Sequence, residues 1–235
     1  MAAIVAGLAG LFLATFLWTI ARRQALHQPL FALGDRFPAA FLPLWGFGQS
    51  RTEPETDAPR SPWQAVFEVG TALYFAVLGY RFGASFDLLM IICFSIPLLV
   101  IMLVDFWTRL IHTNVIAAGL LLGWGFAAVD SPQQLLQSVY GMLAGAGAFL
   151  FFFVLAILIY RNPKIVPFGL GDVYLAAMIG AMVRIDLVAR ALILGIFLAG
   201  FILAALLLAK ILSRKQAVAY GPYLCLGALL TLVLM

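Results

Sequence analysis

Pro167-Phe168-Gly169-Leu170-Gly171-Asp172-Val173-Tyr174-Leu175-Ala176-Ala177 places a carboxylate directly after a Gly-x-Gly turn and directly ahead of an apolar helix. The surrounding chain is 65% hydrophobic and only 10% charged, so a charge in that position is costly unless something uses it. An ionisable group at membrane depth is a functional candidate when a partner can be named. The partner here is Asp105, which closes the apolar run 88–104. Asp172 also has a structural reading, because Asp favours helix N-caps and Gly169 and Gly171 suit a tight turn. The apolar segment behind it is short, however. Residues 173–183 cover about 16 Å at a helical rise, against a hydrocarbon core of about 30 Å. That shortfall draws Asp172 down into the membrane instead of leaving it in open solvent.

Working outward, the whole chain has the same character. Its 235 residues have a mean hydropathy of +1.09, outside soluble-globular usage, and the composition predicts an all-α, polytopic helical bundle in a lipid bilayer. Apolar runs fall at about 2–20, 63–80, 87–104, 111–128, 135–160, 172–184, 187–209 and 218–235, which predicts about eight transmembrane helices. The first run has no positive charge ahead of it, and Arg22 and Arg23 follow it. A cleavable signal carries its charge in front, so this run is expected to stay as a helix with its N-terminus outside.

That orientation puts loops 21–62, 105–110, 161–171 and 210–217 on the cytoplasmic side. They hold eleven of the fourteen basic residues; Arg81, Arg184 and Arg190 are the others. Such asymmetry follows the positive-inside rule. Trp18, Trp63 and Trp107 fall at inner ends of spans and Trp124 towards an outer end, as an interfacial belt requires. The net charge of +4 is an orientation signal, with none of the basic stripes of a nucleic-acid binder. Domain organisation is expected to be 1–62, a first transmembrane helix plus cytoplasmic loop, followed by 63–235, the membrane domain that carries Asp105 and Asp172. The loop carries Glu53-Pro54-Glu55-Thr56-Asp57, which reads as a solvated spacer or as an attractive patch for a basic peptide. Gly141 and Gly145 have the spacing that lets helices pack closely.

Cys93 and Cys225 lie far apart in apolar runs, so neither a zinc knuckle nor a disulfide framework is expected. The two histidines, His27 and His112, form no HExxH, and there is no GxSxG. Three carboxylates remain near the inner ends of spans: Glu68, Asp105 and Asp172. Two carboxylates within hydrogen-bonding reach cannot both ionise easily and share a proton. The ionised member takes a proton from water, and the protonated member donates to an amide carbonyl. That is aspartic proteolysis, which calls for no metal and no cofactor.

These residues carry a family resemblance. Phe168-Gly169-Leu170-Gly171-Asp172 resembles the Gly-x-Gly-Asp motif of the type IV prepilin peptidases, and Asp105-Phe106-Trp107-Thr108-Arg109-Leu110-Ile111 their first aspartate motif. Two further stretches fit in order: Ala65-Val66-Phe67-Glu68 with Tyr80-Arg81-Phe82-Gly83, and Tyr220-Gly221-Pro222-Tyr223 running on to Ala228. The resemblance covers about 62–235. It implies a membrane aspartic peptidase of the bacterial inner membrane that removes short basic leaders from prepilin or pseudopilin precursors at the cytoplasmic face. Asp105 and Asp172 take the catalytic roles by position, with Gly169 and Gly171 shaping the turn. Glu68 either supports the site or makes a structural interhelical hydrogen bond.

The chain departs from the family pattern in four places. Tyr174 stands where a Lys is usual, and His112 where a Pro is usual; both are candidates for substrate-binding or site support. In bifunctional members the first loop carries two cysteine pairs and the first helix an Asn. Here loop 21–62 has no Cys, and Gly10-Leu11-Phe12-Leu13-Ala14 ends in alanine. A zinc site needs four ligands, so N-methyltransferase activity is expected to be absent. Two other readings remain open on the residues alone. One is a presenilin-type intramembrane protease; the other is a non-catalytic assembly protein or ion-coupled transporter.

Overall fold

The computed structural model describes residues 1–25, 62–160, 169–210 and 219–235. They form seven helices and, among the described residues, no strand: α1 (Ala2–Ala25), α2 (Pro62–Phe82), α3 (Phe86–Thr108), α4 (Thr113–Asp130), α5 (Pro132–Tyr160), α6 (Leu170–Leu208) and α7 (Gly221–Val233). A helix satisfies its own backbone groups, which suits a chain this apolar to hydrocarbon. Six of the helices are long and apolar enough to cross a membrane, and α7, with 13 residues, is shorter. The protein is a multi-pass, all-helical membrane protein. The acidic patch at Glu53, Glu55 and Asp57, the residues His27, Arg161, Lys164, Arg214 and Lys215, and Pro167 and Phe168 lie outside the described residues.

The chain divides into two compact units, Met1–Ile92 and Cys93–Met235, with the division inside α3. In the first unit α1 and α2 run antiparallel at close range. A Cβ on Gly79 would fall 2.7 Å from the Ala6 Cβ, and one on Gly10 would fall 2.8 Å from the Phe75 Cβ. Trp18 packs on Phe67 with ring centroids 5.8 Å apart. Small residues let membrane helices approach this closely, and van der Waals packing then holds them where the hydrophobic effect gives little.

The second unit is built around the start of α6. Between residues 173 and 183 only Tyr174 and Ala177 escape burial. A segment that is apolar on all sides belongs inside a bundle. Its neighbours approach it through glycines. Gly119 and Gly123 of α4 face Met178 and Ala181, and Gly141 and Gly145 of α5 lie against the Gly180 and Ala176 carbonyls, leaving no room for a side chain. Ser138 adds a buried hydrogen bond, its Oγ donating to the Ala181 carbonyl at 2.6 Å.

The helix α6 is not continuous. Arg184 has φ 64° and ψ 175°, a backbone conformation open almost only to glycine. The legs on either side, 170–183 and 185–208, fold back on one another. A straight helix would separate residues 172 and 195 by about 34 Å. Yet Leu224 of α7 touches Gly195, and the adjacent Cys225 interacts electrostatically with Asp172. The two runs separated in the sequence at 184–187 therefore are two legs of one helix, so the described residues hold seven helices where about eight transmembrane helices were expected. The guanidinium of Arg184 reaches Asp130 at the end of α4, 4.0 Å away, beside this reversal.

Candidate active site

Two helix ends in the second unit bring two carboxylates together. The first, Asp105, lies in the last turn of α3. That helix stops because Arg109 adopts φ 55° while its N–H still bonds the Asp105 carbonyl at 2.9 Å. Thr108 secures the exit: its Oγ donates to the Val104 carbonyl at 2.8 Å and accepts the Leu110 N–H at 3.2 Å. The short link to α4 then passes Ile111, whose side chain rests against Gly171. The glycine of the Gly-x-Gly turn is thus held by the segment that follows Asp105.

Asp172 lies in the first turn of α6. The N-cap is Gly169, in extended conformation, and the Asp172 carboxylate accepts the Gly169 N–H at 3.0 Å. In return the Asp172 N–H bonds the Gly169 carbonyl at 3.1 Å. This is the reciprocal arrangement of a capping box, with a backbone carbonyl doing what a Ser or Thr oxygen usually does. Asp172 is consequently the third residue of its helix and not the cap itself, and one of its oxygens is committed to the turn.

Both carboxylates are buried, Asp105 at 4% exposure and Asp172 at 8%, and they interact electrostatically. Three further groups complete the surroundings. Arg109 acts on Asp105 by charge, and the Gly221 backbone N–H is directed at the Asp105 carboxyl. Tyr220 interacts with Asp172, and the fully buried Cys225 with both aspartates. Asp105 Oδ2 has no hydrogen-bond partner among the described residues. A buried carboxylate oxygen left in that condition costs stability and calls for an explanation.

Three other residues are singled out in the sequence. Glu68 belongs to the first unit, buried at 2% exposure on α2. Its Oε1 accepts from the Thr15 hydroxyl of α1 at 3.1 Å and from Gln64 Nε2 at 2.9 Å. The interhelical hydrogen bond expected as one of its two roles is therefore present. Tyr174 is half exposed on α6, two residues and thus just over half a turn round from Asp172. His112 caps α4 through its carbonyl, which accepts the Val115 and Ile116 N–H groups, and its buried Nδ1 lacks a partner among the described residues. Sequence reasoning gave no site role to Gly221, Tyr220 or Cys225. A Gly-Pro pair opening an apolar helix reads as a helix start, and nothing local in it points to Asp105.

Comparison with known proteins gives two matches. The sequence model of the type IV leader peptidase family matches residues 89–209. A protein of Bacillus subtilis (strain 168) named prepilin leader peptidase/N-methyltransferase is 26% identical over 231 residues, covering 94% of this chain and 90% of that one. No solved structure matches.

Proposed function

The chain belongs to the type IV leader peptidase family, and from that premise we propose that it is an aspartic endopeptidase. It removes the short basic leader of prepilin-like or pseudopilin precursors at the cytoplasmic face of the bacterial inner membrane. The observation that carries this reading is the buried pair Asp105 and Asp172, delivered by two helix ends, with Asp105 Oδ2 left unpaired. A structural ion site or salt bridge would satisfy that oxygen, whereas a peptidase keeps it for water and substrate.

In this mechanism the two aspartates share one proton. The ionised carboxylate takes a proton from a water as the water oxygen attacks the scissile carbonyl carbon. The protonated carboxyl donates to the carbonyl oxygen at the same time. The tetrahedral intermediate then collapses, the C–N bond breaks, and the proton gained from water goes to the leaving amine. Burial strengthens each of these interactions over its value in water. The cytoplasmic location draws support from Arg22, Arg23, Arg109 and Lys210, which flank the helix ends on the Asp105 and Asp172 side of the predicted topology. A short basic leader approaching that membrane face would meet its cleavage site where the two helix ends converge.

The name of the Bacillus subtilis relative includes N-methyl transfer, and the proposal departs from it there. Residues 21–62 contain no Cys, and Ala14 replaces the Asn expected in the first helix. The protein is therefore a peptidase without methyl transfer. The test is to incubate the purified protein with a prepilin precursor and S-adenosylmethionine, with and without a chelator, and to weigh the products. Cleavage directly after the basic leader, undiminished by chelator and without added methyl mass, is expected. An intact precursor, or cleavage that the chelator abolishes, would overturn the aspartic assignment; a product heavier by one methyl group would overturn the second part.

A further inference from the structure

Gly221 is the first residue of α7, and its backbone does not require a glycine. The one glycine with positive φ among the described residues is Gly83. Alanine is the better helix former, so neither conformation nor propensity accounts for Gly221. Space does. A Cβ built there would fall 2.5 Å from Asp105 Oδ2 and 3.1 Å from its Cγ. The atom it meets is the end of a short side chain, so a methyl group would move the carboxyl and leave the helix backbone where it is. Close approach of another group to the backbone is a standard reason for glycine.

We infer that Gly221 is a positioning residue for the peptidase reaction: the first turn of α7 fixes Asp105 in the orientation that leaves Oδ2 without a hydrogen-bond partner. This rests on the dyad reading above. Two observations besides the contact agree with it. Oδ2 is buried, has no hydrogen-bond partner among the described residues and occupies the space a Gly221 side chain would need. The Gly221 N–H is directed at the same carboxyl, at a helix N-terminus where the dipole favours negative charge. One turn further on, Cys225 is 0% exposed and interacts with both aspartates, closing the floor of the site with a small, apolar group. Asp105 is thereby placed between its own helix end and the α7 backbone.

The experiment uses the full chain in detergent and two readouts. In kinetics with a leader peptide, Gly221→Ala lowers kcat by about 100-fold, the scale of loss that follows from misplacing a reacting group by an ångström, with KM little changed. In thermal unfolding, Gly221→Ala lowers Tm when Asp105 is present. In an Asp105→Ala background the same change leaves Tm unchanged or raises it, because the obstructing carboxyl is gone. Near-native kcat, or an equal Tm penalty in both backgrounds, would overturn the inference. Should Gly221→Ala alone fail to fold, a well-folded Asp105→Ala/Gly221→Ala double variant supports it, and a double variant that also fails overturns it. Absence of cleavage by the unmodified protein would refute the function instead, while the unfolding cycle would still decide whether Gly221 and Asp105 compete for space.

Discussion

Asp172 and Glu68 are both buried acids in apolar helices, and their surroundings separate them. Asp172 gives one oxygen to the Gly169 N–H and faces a second carboxylate. Glu68 receives a hydrogen bond from Thr15 across the contact of α1 and α2, and another from Gln64 one turn back on its own helix. Without the carboxylate Thr15 can still donate to the Leu11 carbonyl at 3.1 Å, but Gln64 Nε2 loses its acceptor, and a stranded buried donor costs about 1–3 kcal/mol. Glu68→Ala is therefore expected to lower Tm in detergent clearly, and Glu68→Gln, which keeps an acceptor, to lower it less. Equal stability of Glu68→Ala and the unmodified protein would show that the bond between the helices contributes nothing. The sequence exposed the acids at 68, 105 and 172 because charge is rare in this chain and stands out against it. It did not reveal their partners. Thr15 lies 53 residues from Glu68, and Gly221 leaves no side-chain signal at all.

Helices here end or turn on basic residues in left-handed conformation: Arg109 after α3, Arg184 inside α6 and Lys210 after α6. At the two C-terminal ends a positive side chain complements the helix dipole and offsets part of the backbone cost. At Arg184, with ψ 175°, the strain is larger, of order 1–3 kcal/mol. Its partial ion pair with Asp130 at 4.0 Å is exposed enough to return little. Arg184→Gly is accordingly expected to match or exceed the unmodified protein in Tm, and Arg184→Ala, which keeps the strain and loses the pair, to fall below it. The opposite order would mean that the reversal is held by the Arg184 side chain. The break itself was legible, since Arg184 and Asp186 interrupt an apolar run. Its sharpness was not, because one residue's φ and ψ make the reversal. Nor could the sequence show that leg 170–183 is what Gly119, Gly123, Gly141 and Gly145 pack against; both glycine pairs have the four-residue spacing that signals close packing, but spacing does not name the facing helix.

At the scale of the molecule, a run of hydrophobic segments gave the all-helical membrane class and close to the right number of segments. Two carboxylates at segment ends gave the centre of the second unit. Shortness connects these two facts. A first leg too short to span a bilayer on its own has to be surrounded by protein, and that enclosure keeps Asp172 out of bulk solvent beside Asp105. The central claim is that these two aspartates work as one acid–base pair. The most direct measurement is the initial rate of leader cleavage by purified Asp105→Asn and Asp172→Asn, each first shown to fold by its Tm. Asparagine keeps volume and polarity but cannot carry the shared proton, so each variant is predicted to lose about 10²- to 10⁴-fold in kcat. A near-native rate in either folded variant would contradict the account.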